Sequence, residues 1–171
     1  DERVMEYFPA LQNEEQTKGF IKIMTDGISE RGWGLWAAEE LSSSEFIGFI
    51  GLKPIMFIGL KPIMEEFPVK SVQSPMVEIG WRLRPEYWNQ GLATEGALAS
   101  LQFGFEILGL QEIVSFTSLL NLSSERVMQK IGMHLDISGD FDHPRVAEGH
   151  ELRRHLVYRI RREDWEKNLL S

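Results

Sequence analysis

The chain contains no cysteine in 171 residues, which excludes a disulfide framework, a thiolate zinc site and a cysteine nucleophile. No apolar run approaches the ~20 residues that a membrane-crossing helix needs. The acidic start Asp1-Glu2-Arg3 lacks the charged and apolar regions of a secretory signal. These absences lead to the expectation of a cytoplasmic protein with no membrane partner. Basic residues are in the minority, 18 Lys and Arg against 26 Asp and Glu, for a net charge of -8. That balance argues against general affinity for nucleic acid, whose phosphates reward a basic face, and suits a cationic or amine substrate. The four histidines, His134, His143, His150 and His155, show no His-x-x-x-His spacing and have no cysteines to complement them, so no metal site is expected. They read as solvent or structural residues, with His143 in a loop that could border an amine pocket. The Gly-x-Ser-x-Gly elbow of a serine hydrolase is missing too.

What is present suits an α/β protein. The hydrophobic fraction of 43% and charged fraction of 26% are those of a folding chain, and residues 1–171 are long enough for one domain with its own core. Residues 13–30 read as a helix, with Asn13 as cap, Gln16 completing a capping box, and Phe20, Ile23, Met24 and Ile28 near helical spacing. Two short strands at 33–39 and 45–52 form a hairpin pair around Leu41-Ser42-Ser43-Ser44. Val77, Ile79, Trp81 and Leu83 alternate with Glu78, Gly80 and Arg82, the period of a half-buried strand. Ala97, Leu98, Leu101, Phe105 and Leu108 then recur three and four apart, predicting a helix over 91–108. A strand at 112–117, a helix at 123–131, a strand at 133–137, a loop, and a strand from Leu152 to Ile160 before a short helix around Trp165 complete the reading.

One segment is unlike ordinary sequence. Phe-Ile-Gly-Leu-Lys-Pro-Ile-Met occupies residues 49–56 and recurs identically at 57–64. Two copies are too few and too short for a solenoid, so they read as a recent in-frame duplication or an artefact of the sequence. Only one copy can end the strand, and the prolines of the other suit an exposed loop before Val77.

Chemistry concentrates at residues 78–95. A strand runs into the turn Pro85-Glu86-Tyr87-Trp88, and Asn89-Gln90-Gly91-Leu92-Ala93-Thr94 opens the long helix. A helix start presents unpaired N–H groups and the positive end of the dipole, and small residues let a pyrophosphate approach the backbone. The same residues also suit a plain tight turn. The loop lacks the Gly-Lys-Ser/Thr ending of a Walker loop and the three spaced glycines of a dinucleotide fingerprint. It resembles the cofactor loop of the GNAT superfamily of N-acetyltransferases, in which Arg or Gln, two residues, Gly, one residue, and Gly or Ala succeed one another. Trp88, Gly91 and Ala93 stand at these places, and Glu-Tyr-Trp-Asn-Gln-Gly-Leu-Ala-Thr-Glu looks like the RimJ/RimL-type ribosomal-protein branch, where Trp is usual. Residues 121–133, Asn-Leu-Ser-Ser-Glu-Arg-Val-Met-Gln-Lys-Ile-Gly-Met, are similar to the family segment where an Asn meets the cofactor arm. Residues 141–145 and 152–158 look like the branch's closing strands. Members carry a first strand and the beginning of a helix ahead of the place of Asp1, so about one βα unit is expected to be missing.

The resemblance implies a mostly antiparallel mixed sheet flanked by helices and splayed between the Val77 and Glu112 strands. It implies acetyl-CoA as donor, with the pantetheine arm along the backbone of Trp81 and Leu83, the pyrophosphate on Asn89, Gln90, Gly91, Ala93 and Thr94, and Asn121 on the arm. The acceptor is an amine, either a protein N-terminus or a small molecule such as a polyamine, an amino acid derivative or an antibiotic, and a homodimer is compatible with this. A non-catalytic acyl-CoA-binding module is the rival reading. A neutral amine must attack the thioester, so Glu78 is the candidate base, through water, or else a strand carboxylate paired with Arg82. Ser124 is the candidate proton donor to the sulfur, or else Ser123 or Ser124 caps the helix. Met128 stands where other members carry a Tyr and cannot donate. Trp33, Trp36 and Trp81 read as core, with Trp33 or Trp36 able to border the acceptor site.

Overall fold

The first helix begins as its sequence dictates. The Asn13 side chain accepts the Gln16 amide at 2.8 Å, and the Gln16 side chain accepts the Asn13 amide at 2.9 Å, so two otherwise orphaned donors are satisfied reciprocally. Gly32, in the left-handed conformation at φ 80°, ends the helix. The computed structural model describes residues 1–55, 69, 71–73 and 75–169. The order is α1 (Glu14–Arg31), β1 (Leu35–Glu39), β2 (Phe46–Pro54), β3 (Val77–Leu83), α2 (Leu92–Gln102), β4 (Glu112–Ser118), α3 (Leu122–Lys130), β5 (His134–Leu135), β6 (Phe141–Asp142), β7 (Arg154–Arg161) and α4 (Arg162–Leu169). Among the described residues the strands make one sheet in the order β1-β2-β3-β4-β7-β5, with β6 also on β7. Every pairing is antiparallel except β3 with β4. This is the expected mixed, mostly antiparallel α/β sheet.

Three local differences from the sequence reading have physical reasons. The long helix predicted over 91–108 is α2 followed by a π-helical turn, Phe103–Ile107, in which the Leu108 amide donates to the Phe103 carbonyl at 3.1 Å. The strand predicted at 133–137 shrinks to β5: the Asp136 amide still donates to the Val157 carbonyl at 2.9 Å, and the chain then turns, with the Asp136 carboxylate accepting the Ser138 amide and hydroxyl and its carbonyl the Gly139 amide. Ile23, placed on the apolar stripe of α1, is exposed, whereas Phe20, Met24 and Ile28 are partly buried and Gly27 is buried. Of the duplicated octapeptide, the first copy supplies the end of β2, and the second, at 57–64, lies outside the described residues.

Alternation along the strands divides the core. On the helix side, Leu52, Ile79, Ile113 and Ile160 pack with Leu101 and Phe105, each fully buried apolar side chain contributing roughly 1.5–3 kcal/mol. On the opposite side lie Ile55, Val69, Met76, Val114, Phe141 and Val157. The start of β4 is pinned to β7 by Glu112, 1% exposed, which meets Arg159 at 3.0 Å and Arg161 at 3.6 Å.

The sheet opens at its centre. Strands β2 and β3 pair from Gly48↔Leu83 to Pro54↔Val77, and β4 and β7 from Glu112↔Arg161 to Ser118↔His155, whereas β3 and β4 meet at the single pair Glu78↔Val114. Beyond it the Ser115 hydroxyl donates to the Ile79 carbonyl at 3.1 Å, and the strand ends separate into a wedge.

Candidate active site

One wall of the wedge is the end of β3. The Arg84 amide donates to Ile47 of β2 at 2.8 Å, so the alternation of an antiparallel ladder turns the backbone groups of Trp81 and Leu83 away from β2, toward the wedge. The Leu83 carbonyl is already engaged there, since the Trp88 indole N–H donates to it at 2.8 Å. Trp88 therefore locks the loop to the strand, which is a physical use for an aromatic at that place.

From Trp88 the chain turns through Asn89 at φ 58° and Gly91 at φ 84°, and Gly91 is the N-cap of α2 with no side-chain capping bond. The amides of Leu92, Ala93 and Thr94 in the first turn thus have no side-chain acceptor, and with the helix dipole they form an anion-binding concavity. A Cβ on Gly91 would meet no protein atom within 4 Å, so within the chain glycine is favoured here by its backbone angle. The Gln90 side chain turns back to the Glu86 carbonyl at 2.8 Å, leaving this loop position its backbone. These features fit a pyrophosphate ligand.

The other wall is the end of β4 and the start of α3. Here the capping assignment changes. Asn121, not Ser123 or Ser124, caps the helix: its Oδ1 accepts the Ser124 amide at 3.1 Å and the Ser123 hydroxyl at 2.8 Å, and its Nδ2 donates to Thr117 Oγ1 at 3.0 Å. The Ser124 hydroxyl makes no hydrogen bond among the described residues, so it is free for a ligand. Met128 is 1% exposed and belongs to the core.

The face turned away from α2 gathers charge and aromatic rings. Glu78, buried at 8% exposure, is paired with Lys53 at 2.6 Å and not with Arg82. Arg82 lies on aromatic rings instead, 4.0 Å from Phe8 and 5.3 Å from Phe49. Across the sheet the His143 and His155 rings are 4.9 Å apart, with Phe141 5.5 Å and Phe116 6.3 Å from His155. Backbone groups assign their tautomers. His143 Nδ1 accepts the Arg145 amide at 3.2 Å, so its Nε2 carries the proton, whereas His155 Nδ1 faces the Arg153 carbonyl at 3.1 Å and must donate, leaving Nε2 as a bare acceptor. Burial, and then the neighbouring positive groups of His155, Arg145 and Lys53, push the His143 pKa down to about 4. Burial also lowers that of His155.

Sequence reasoning missed Lys53 and His155, and it held His143 only as a loop residue that could border the pocket. Their assembly depends on the pairings Lys53↔Glu78 and Phe141↔His155, for which no local signal exists. Trp36 packs edge-on against Phe103, 5.3 Å away, on the α2 side, so it does not border the Glu78 face.

Similarity to known proteins follows the same lines. The sequence profile described as Acetyltransferase (GNAT) domain matches residues 1–134. The chain is 33% identical over 147 residues to the FsC-acetyl coenzyme A-N(2)-transacetylase of Aspergillus fumigatus, covering 84% of this chain and 56% of that protein's length. Among solved structures, the GNAT-family acetyltransferase from Bacillus anthracis superposes with a TM-score of 0.70 at 27% identity, over 95% of this chain and 84% of that one. A ribosomal-protein-S5-alanine acetyltransferase from Vibrio fischeri shares the fold, with a TM-score of 0.67 at 14% identity over 94% and 81% of the two chains. The profile spans most of the sequence and includes the wedge and the glycine-capped loop, and on that ground the chain belongs to the GNAT acetyltransferase family.

Proposed function

We propose that residues 1–171 form one domain that acts as an acetyl-CoA-dependent N-acetyltransferase, passing acetyl to a primary amine by direct attack in a ternary complex. The observation that carries this reading is the α2 N-terminus, started by Gly91 without a side-chain cap, beside the wedge between β3 and β4. Acetyl-CoA, when bound, supplies the acetyl group as a thioester. In this reading Asn89, Gln90, Gly91, Ala93 and Thr94 hold the pyrophosphate through their backbone. Trp81 and Leu83 offer strand-like backbone groups to the pantetheine arm, and Asn121 positions the arm from the opposite wall. Glu78 takes the amine proton through water, its carboxylate aimed by Lys53. The free hydroxyl of Ser124 holds a proton for the departing sulfur. A free thiol has a pKa of only about 8.5, so a hydrogen bond is enough there.

Two acceptor classes use this chemistry. A protein N-terminal amine is supported by the likeness of the Trp88 loop to the RimJ/RimL-type branch. A small amine is supported by the N(2)-transacetylase name of the Aspergillus relative. Thiol release from acetyl-CoA, measured with a panel of N-terminal peptides and small amines, tests both. Tight cofactor binding without thiol release on any amine would replace the enzyme with a non-catalytic acyl-CoA-binding module.

A further inference from the structure

Arg82 lies two positions beyond Gly80 and four beyond Glu78 on the same face of β3. Its guanidinium rests on Phe8 and Phe49, and its Nε is shielded from water with no hydrogen-bond partner. Among the described residues no carboxylate lies within ion-pair distance of it. This is unlike its neighbours in the sheet: Lys53 pairs with Glu78, Arg84 with Glu45 and Glu86, and Arg159 with Glu112 and Asp136. In a chain of net charge -8, carboxylates are plentiful, so a half-buried cation with none beside it among the described residues carries a desolvation cost that no ion pair there offsets. Burial accordingly lowers the Arg82 pKa. The two rings fix the guanidinium plane and add cation–π attraction, but they cannot satisfy its N–H donors.

We infer that Arg82 binds a carboxylate of the acceptor, and that the substrate class is a primary amine carrying an anionic group at a distance from the reacting nitrogen. The inference rests on the acetyltransferase reading and on Glu78 as the amine end of the site. Four strand residues separate the two ends, about 13 Å along β3. An extended molecule of three or four residues spans that length. Arginine is suited to the task because its planar fork meets a carboxylate with two parallel hydrogen bonds. The carboxylate has two sources of the same chemistry, the free C-terminus of a short peptide-like amine or an acidic side chain near a protein N-terminus.

Matched acceptors separate these outcomes. One arm compares a tripeptide with its C-terminal amide. The other compares a longer peptide amide bearing Asp at its third position with the Asn analogue. With the wild-type protein, the carboxylate member of one pair is expected to show kcat/KM roughly 30-fold higher, mostly through KM. The pair that shows the difference identifies the source. Arg82→Gln should bring that member to the level of its neutral partner in the same variant, and Arg82→Lys should restore part of the difference. Equal wild-type rates within both pairs, or a preference that survives in Arg82→Gln, overturn the role of Arg82 while turnover itself upholds the acetyltransferase reading. Absence of turnover on every amine overturns that reading and this one together. If Arg82→Gln fails to fold, Arg82→Lys makes the same comparison: a reduced carboxylate preference is expected, and an unchanged one overturns the role of Arg82.

Discussion

Lys53 Nζ lies 2.6 Å from Glu78 Oε2, and the two residues face each other directly across the β2–β3 ladder. This contact ties the candidate base on β3 to β2. Each charge offsets the burial cost of the other, which the carboxylate, at 8% exposure, would otherwise bear alone.

Glu78→Gln keeps the shape of the side chain and removes its capacity to take a proton. We expect kcat to fall by about 10²- to 10⁴-fold and the acidic limb of the kcat/KM profile to disappear. Lys53→Met should reduce kcat less and keep that limb. A pH profile of Glu78→Gln with the wild-type shape would remove Glu78 from the mechanism.

Gly91→Ala places an L-residue at φ 84°, which costs about 1–2 kcal/mol. The expected outcome is a lower melting temperature and a several-fold higher KM for acetyl-CoA, with the KM for the amine unchanged. Steady-state kinetics at varied cofactor concentration check it, and an unaltered cofactor KM would mean that the loop does not hold the pyrophosphate.

Local rules made part of this molecule legible before any coordinates. The capping box of Asn13 and Gln16, the strand from Val77 to Leu83 and the glycine before α2 are each decided within a few residues and are found where the sequence puts them, although burial along the strand does not alternate, since Glu78 is buried and Trp81 only partly so. What escaped depends on distant partners. Asn121 outcompetes Ser123 and Ser124 as cap because Thr117, on the neighbouring strand, takes its second amide group. The ion pair of Glu78 is set by register, since Lys53 and not Arg82 lies across from it. Strand β5 ends after two residues at a turn closed by the Gly139 amide on the Asp136 carbonyl, while Arg159 of β7 holds the Asp136 carboxylate.

The histidine pair gives a pH signature. In the folded chain His143 has a pKa of about 4, against an ordinary value of 6.5. As pH falls through 6.5, the unfolded chain therefore binds a proton that the folded chain refuses. Stability is full above pH 6.5, declines between 6.5 and about 4, and stops declining through this group below that. With the ring's solvent-facing side discounted, the loss is about 1–2 kcal/mol. Urea unfolding at pH 7, 5.5 and 4.5 measures it, and His143→Gln should flatten the trend. An equal slope in the variant would show that other groups dominate the acid loss.

The meeting of β3 and β4 at Glu78↔Val114 makes the sheet two ladders joined by a neck. Backbone hydrogen bonding is nearly interrupted there, but apolar packing is not, for Leu52 and Ile79 of one ladder lie in the same buried cluster as Ile113 and Ile160 of the other. The fold thus holds its two halves together by side chains packed on both faces of the neck, since Ile55 and Met76 also share a buried cluster with Val114 and Val157 on the other face. A strand-like molecule seated between the two ladders would complete the hydrogen bonding that the protein omits, so the cleft proposed for the cofactor arm and the gap in the sheet's backbone ladder are one and the same place.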